Sequence, residues 1–302
     1  MNVIDRKCEE MKECILAIDA GGTVFKYALV GLEGTLLTEV FKLPIHSKGT
    51  AAEVLQSYDR LITHAKELSE SIQGIGISTP GPFDYDNGIS LMKHKFQSIY
   101  GISMRDRIRE NCGVDVPIWF CPDTNAFLAG EYAHGAGNGY RNVIGITIGT
   151  GLGIAVVYEG KILVNEKKGP AEVVYNLPCK NGILEDYVSG RGIAAYYRRL
   201  TGSMDETITA KDVGMRALEE AEAQRTFDEV GYLLGKAISE KVAKYHAQVV
   251  IIGGQVANSF GYMQDGIERG IANVSCKVVR AGEIDHAAMK GVLELREMYA
   301  GK

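Results

Sequence analysis

The sequence predicts an α/β fold made of two duplicated domains. Three observations predict it: a strand–glycine turn–strand unit that occurs twice, an alternation of apolar strands with amphipathic helices, and a length of 302 residues. The first unit runs Ile15-Leu-Ala-Ile18, Asp19-Ala-Gly-Gly-Thr23, then apolar residues to Val30. The second runs Val143-Ile-Gly-Ile-Thr-Ile148, Gly149-Thr-Gly151, then apolar residues to Tyr158. Each then reaches a Glu-Gly turn, Glu33-Gly34 or Glu159-Gly160, and a third short apolar run. Two hairpin starts of one kind imply a duplication. A chain of this length suits two domains or one large α/β unit.

Element by element, residues 14–40 read as three strands. Residues 49–70 show helical spacing at Val54, Leu55, Tyr58, Leu61, Ile62 and Ala65. Gly74–Ser78 is a short buried strand, broken by Thr79-Pro80-Gly81-Pro82. A helix is expected over 103–111, a strand over Pro117–Phe120, and a helix from Thr124 to about His134. Strands follow over 143–164, then helices over 187–200, 209–222 and 226–246. Val249-Val-Ile-Ile252 is a buried strand ending in Gly253-Gly254, and a last helix covers 284–299. Strand–helix–strand alternation predicts mainly parallel sheets with flanking helices. The half-boundary falls near 115–135, with no Pro- or Ser-rich linker.

Composition excludes several classes. Apolar content of 46% and charged content of 24% are those of an ordinary globular protein. A net charge of -5 gives no electrostatic footprint for nucleic acid. No apolar stretch has the length of a membrane span, and the charged first residues carry no secretion signal. The six cysteines (Cys8, Cys14, Cys112, Cys121, Cys179, Cys276) are scattered without a CxxC pair, so no disulfide framework is indicated. A reducing cytoplasm is the expected setting.

The chemistry starts at Asp19. An apolar strand feeds a glycine turn, with a carboxylate at the strand's end. Glycines let backbone N–H groups approach phosphate oxygens, and such turns form anion-binding nests. The acid suits Mg²⁺, held directly or through water. A bare Asp-x-Gly-Gly-Thr is equally a structural corner. The second Gly/Thr turn, Gly149-Thr-Gly151, adds the weight, since two such turns facing across a cleft would grip a polyphosphate. Asp123 stands where a strand ends and a helix begins. There it reads as an N-cap, and a helix N-terminus favours a charged carboxylate.

Four segments in order, Asp19-Ala-Gly-Gly-Thr23, Asp123-Thr-Asn125, Gly149-Thr-Gly151 and Gly253-Gly254, resemble the ROK family of sugar kinases. The resemblance covers nearly the whole chain. Ser78-Thr-Pro-Gly-Pro82 and Gly182-Ile-Leu-Glu-Asp-Tyr-Val-Ser-Gly190 resemble two further family segments. The family implies the actin-like ATPase (ribonuclease H-like) fold: two duplicated domains with mixed sheets flanked by helices, and an interdomain cleft. It divides the chain into a smaller N-terminal domain, 1–120, on which the C-terminal helix 284–302 packs back, and a larger nucleotide-binding domain, 121–283. It implies transfer of the ATP γ-phosphoryl group to a sugar hydroxyl, usually on carbon 6. Asp123 matches the catalytic base, in a reaction where positioning and charge neutralisation dominate. Asp19 matches the acid that organises Mg²⁺, through water. Gly21, Gly22, Thr23, Gly149, Thr150 and Gly151 match the phosphate turns. Lys26 stands at a position often basic in the family, and equally suits a solvated strand. Gly253 and Gly254 match the adenosine segment. Gly81, Pro82, Asn125, Glu172, Tyr175 and Glu185 fall on the sugar side, where a carboxylate's several acceptor sites suit paired hydroxyls. A homodimer is the family's habit.

Three departures stand out. Pro122 replaces an Asn of the family's Asn-Asp-x-Asn segment. Tyr175 replaces a His. Of the family's zinc-binding cysteines only Cys179 remains, and one thiol cannot close a four-ligand site, so no zinc is expected. The loss of zinc together with the His-to-Tyr change resembles the β-glucoside kinase branch, which implies a substrate other than plain glucose, a glycoside or disaccharide phosphorylated at a free 6-hydroxyl. Three other readings compete with the kinase. A DNA-binding repressor of the same family needs a helical domain before the first strand, and about 14 residues stand there. A catalytically weak sugar or nucleotide sensor is the alternative that Pro122 and Tyr175 leave open. A different actin-like phosphotransferase would act on a non-sugar polyol or acid, and the charges of Glu172 and Glu185 disfavour the anionic substrates among these.

Overall fold

Unbroken apolar burial along Cys14–Ile18 makes β1 (Cys14–Ala20) the central strand of the first sheet. The computed structural model describes residues 13–93, 95–272, 275–284 and 286–300. Cys8 and the rest of the charged stretch 1–12 lie outside these residues, as do Asp285, Gly301 and Lys302 of the expected last helix. After β1 come β2 (Val24–Gly31), β3 (Phe41–Pro44), α1 (Ala51–Leu68), β4 (Ile72–Thr79), β5 (Phe83–Asp84), β6 (Ile89–Ser90), α2 (Met104–Cys112), β7 (Ile118–Pro122) and α3 (Asp123–His134). Then follow β8 (Val143–Ile148), β9 (Leu152–Tyr158), β10 (Lys161–Ile162), β11 (Pro178–Cys179), β12 (Gly182–Ile183), α4 (Gly190–Thr201), α5 (Ala210–Arg216) and α6 (Ala221–Lys244). Last come β13 (Val249–Gly253), α7 (Gln264–Ile271), β14 (Lys277–Arg280), α8 (Ala287–Glu294) and α9 (Arg296–Tyr299).

The two large sheets share one topology. The first is ordered β3-β2-β1-β4-β7 and the second β10-β9-β8-β13-β14. In each, the hairpin start gives two antiparallel pairings and the later strands two parallel ones. The mainly parallel sheets expected from strand–helix alternation give way to evenly mixed ones, as the family resemblance implies. The duplication read from the Gly/Thr turns extends to the full strand order.

Local signals explain most boundaries. Thr50 and Glu53 form a reciprocal capping box at the start of α1. Ser189 Oγ accepts from Gly192 N at 3.2 Å, so α4 starts at Gly190 rather than 187. Helix α5 stops at Arg216, short of 222, where the Gln224 side chain donates to Ala217 O at 2.7 Å. Helix α6 consequently begins at Ala221, earlier than expected. The third strand lies at 41–44 instead of ending by 40. After the Glu33-Gly34 turn the chain makes only the single Val30–Leu36 bridge, and pairing with β2 resumes at Phe41. The expected last helix is two, divided at Leu295.

The described residues divide into two compact units. One holds those up to Asp123, Lys167–Gly169 and those from Val292 onward; the other holds Thr124–Glu166 and Pro170–Gly291. In the first, Trp119 is fully buried and donates from Nε1 to Val292 O at 3.0 Å. Tyr299 donates to Lys168 O at 2.7 Å, and Lys168 Nζ pairs with Asp86 at 2.6 Å. These bonds tie the short 167–169 segment and the chain's last residues into that unit. In the second unit the sheet is covered on both faces. Ile144, Ile146, Val250 and Ile252 face one core with Phe227, Leu234 and Ile267. Val143, Val249 and Ile251 face the other with Phe127 and Leu128 of α3. Burial on both faces explains why these strands read as continuous apolar runs.

Candidate active site

In the first unit the candidate residues gather at the carboxyl edge of the parallel strands β1, β4 and β7. Lys26, Asp19, Ser78 and Cys121 stand in one row across β2, β1, β4 and β7. Asp19 is the penultimate residue of β1, Gly81 and Pro82 follow β4, and Asp123 follows β7. In open α/β sheets this edge is where ligands bind. Ser78, fully buried, donates from Oγ to Asp19 Oδ1 at 2.9 Å. Burial pushes the Asp19 carboxyl above its ordinary value, against the pull of the Ser78 hydroxyl and the Lys26 charge. Burial, with the charges of Asp123 and then Asp19, pushes the Cys121 thiol well up. Both carboxylates thus act on the same buried sulfur. The Gly21–Thr23 turn is shaped by Gly21 N donating to Asp19 O at 3.1 Å and Ile45 N to Thr23 O at 3.0 Å.

Pro122, for which the sequence offered no reason, is the buried last residue of β7, opposite Thr79. Strand β7 is an edge strand, so its missing N–H leaves the ladder intact. Asp123 is the first residue of α3, at the helix end where a carboxylate is favoured.

In the second unit Gly149–Gly151, Gly253, Gly254, Glu185 and Tyr175 come together. Gly149 N donates to Gly151 O at 2.9 Å, and Gly190 N to Gly149 O at 2.8 Å. Gly253 pairs with Thr147 at the end of β8. Gly254 has φ +78°, and a Cβ there would stand 2.4 Å from Ile148 O, so only glycine fits. Glu185 Oε2 accepts from Leu152 N at 2.9 Å, and Glu185 N donates to Tyr175 O at 2.9 Å. Tyr175 is exposed. Asn125 is fully buried, and neither of its amide atoms has a protein partner. An orphaned buried amide is costly and marks a place where a ligand or water completes the bonding.

Glu172 is not part of that group. Its Oε2 accepts from Lys241 at 2.7 Å, and its Oε1 from Lys244 at 2.6 Å and from Tyr245. Burial alone would raise its carboxyl; the three donors and the Lys241 charge instead hold it down at about 2. The depressed value contributes stability above the usual 4.5, lost as pH falls from 4.5 toward 2. Glu172→Gln is expected to cost about 2 kcal/mol at pH 7, allowing for screening at exposed Lys244, and to flatten the acid limb of a pH–denaturation series. An unchanged acid limb would remove the cluster's role.

Sequence reasoning missed Ser78's hold on Asp19, the Lys241–Lys244–Tyr245 cluster, Arg191, and Glu131. Glu131 is fully buried and accepts from the backbone of Ala136, Gly282 and Glu283 at 2.8–3.0 Å. An acid inside an otherwise apolar helix was its one visible signal. Among the described residues no group of three or more His, Cys, Asp or Glu could hold a metal ion, and no helix is long and apolar enough to cross a membrane. Asp19 nevertheless suits a divalent cation held through water, because a cation would relieve the cost of its buried charge.

The ROK family model matches residues 15–297. Glucokinase of Thermotoga maritima is 26% identical over 268 residues, 81% of this chain and 83% of the relative. N-acetylmannosamine kinase of Escherichia coli O157:H7 is 26% identical over 258 residues, 82% of this chain and 85% of the relative. Among solved structures, a ROK family glucokinase from Streptomyces griseus in complex with glucose and AMPPNP superposes with a TM-score of 0.79 at 23% identity, over 94% of this chain and 99% of that one. The chain belongs to the ROK family and has the actin-like ATPase fold of its hexokinases. It is a phosphotransferase of the sugar-kinase class.

Proposed function

We infer that this chain transfers the γ-phosphoryl group of ATP to a sugar hydroxyl, the 6-hydroxyl of a hexose or β-glucoside, with Asp123 as the base. The observation that carries the reading is the gathering of Asp19, Ser78 and Asp123 at one sheet edge. In this reading Asp123 accepts the hydroxyl proton and aims the oxygen at phosphorus. Asp19, steadied by Ser78, would hold Mg²⁺ through water, and the ion would neutralise phosphate charge when bound. The Gly21–Thr23 and Gly149–Gly151 backbones and Lys26 serve the phosphates, and Gly253 and Gly254 let adenosine approach the backbone. Asn125, Glu185, Tyr175, Gly81 and Pro82 serve the sugar. Asn125's unpartnered amide is the strongest support on that side. Glu172, already held by three donors, would contribute to the sugar only by giving one up.

The test is ADP release from Mg-ATP with glucose, fructose, mannose, N-acetylmannosamine, allose and cellobiose. Turnover stimulated by one sugar supports the kinase and names the substrate. Binding of sugar without turnover would overturn the assignment of the transfer step to these residues. For Asp19, the raised carboxyl value means that folding favours its protonated form, so its share of stability falls as pH rises through the folded value. Asp19→Asn is therefore expected to raise the melting temperature of the protein alone at pH 8. The same change should abolish the thermal shift given by Mg-ATP and lower turnover at least about a hundredfold. A retained Mg-ATP shift would move the metal role elsewhere.

A further inference from the structure

Glu185 carries two bonds at once. Its Oε2 holds Leu152 N at 2.9 Å, at the end of the Gly149–Gly151 turn, and a Cβ on Gly151 would lie only 2.8 Å from it. Its Oε1 holds Arg191 Nη2 at 3.0 Å. Arg191 sits on the first turn of α4, and the neighbouring Gly190 N bonds Gly149 O at 2.8 Å. Turn, carboxylate, guanidinium and helix start therefore form a closed ring around the second glycine turn. The Arg191 side chain is 66% exposed and that of Glu185 is 21% exposed. The cation is thus held at its tip by a carboxylate while most of its side chain is exposed.

We propose that Arg191 is a positioning residue for the phosphates, released to them when a sugar takes Glu185. Resting on the kinase reading, this deepens it by naming the link between the two substrates. A carboxylate oxygen that accepts sugar hydroxyls no longer needs the guanidinium. The guanidinium stays beside the 149–151 turn, because its helix start is bonded to that turn. Its planar fork suits phosphate oxygens, and its positive charge would neutralise the negative charge those oxygens carry through the transfer. Nucleotide bound without sugar meets an Arg191 still paired with Glu185. Sugar binding then tightens nucleotide binding and speeds transfer, and by reciprocity nucleotide tightens sugar.

The experiment measures AMPPNP affinity by calorimetry, with and without saturating sugar, for wild type, Arg191→Ala, Arg191→Lys and Glu185→Gln, beside steady-state kinetics. In wild type, sugar should tighten AMPPNP at least about fivefold. In Arg191→Ala that ratio should fall to about one, kcat should drop roughly a hundredfold, and KM for sugar should change less than about twofold. Arg191→Lys should recover part of the ratio, which a merely structural contact would not require. Glu185→Gln should weaken sugar binding and the coupling together. An Arg191→Ala protein that keeps the wild-type ratio and a kcat within twofold overturns the proposal, as does a wild type that binds both ligands without coupling. Wild-type protein that binds neither sugar nor AMPPNP overturns the kinase reading itself, and the proposal with it.

Discussion

Replacing Asp123 by Asn should abolish sugar-dependent turnover, with a fall of about 10³-fold or more in kcat and little change in KM. In the proposed role, Asn would keep the shape and a hydrogen bond to the substrate hydroxyl but could not take its proton. Base removal in comparable sites costs on the order of 10²–10⁴-fold. The fold should be unaffected: Asp123 is a half-buried first helical residue, and Asn is accepted at helix starts as readily as Asp. ADP-release kinetics and a melting curve on the same preparation check both halves of the expectation. A loss below about tenfold would move the base to another group. A melting temperature lowered by several degrees would make Asp123 part of the helix junction more than of the chemistry.

The largest stability effect is expected at Gly130, in the middle of α3. A Cβ there would lie 1.9 Å from Ala287 O, and one on Gly291 would lie 1.7 Å from Ala126 O. Helices α3 and α8 therefore meet backbone to backbone, with no room for a methyl group. Glu131, one residue on, fastens the same crossing by accepting from Gly282 and Glu283 just before α8. Gly130→Ala must push the helices apart, breaking those bonds and opening the core around Phe127 and Leu128. The intrinsic helical gain from Ala, about 1 kcal/mol, is overwhelmed. A net loss of about 3 kcal/mol is expected, lowering the melting temperature by roughly 6–12 °C. Gly291→Ala should do the same. Denaturant unfolding within 1 kcal/mol of wild type would disprove the close crossing.

Legibility followed locality. Helix α1 was read from spacing, and its start was written in the Thr50–Glu53 box, because both signals involve neighbours within a turn or two. Strands β1, β4, β8 and β13 were read from apolar runs, since a strand covered on both faces leaves no polar alternation to confuse the pattern. Boundaries failed where a distant group set them. Helix α5 ends early because Gln224, beyond its C-terminus, takes a terminal carbonyl. Strand β3 starts late because only pairing with β2 defines it. The candidate site divided in the same way. Asp19, Asp123 and the glycine turns were visible because each closes a strand and opens a turn. Glu172 was matched to the sugar side by its position in the chain, while the structure holds its carboxylate against lysines 69 and 72 residues away.

By itself the sequence determined the duplicated strand–turn–strand plan, the family, and the acids and glycines that end its strands. These rest on periodicity and turn chemistry, which act between near neighbours. Only the tertiary structure decided which carboxylates are already partnered, that Asn125 lies buried without a partner, and that Glu185 joins Arg191 to the second glycine turn. A long polar side chain can reach several partners, and which one it takes depends on which distant elements the folded core places beside it.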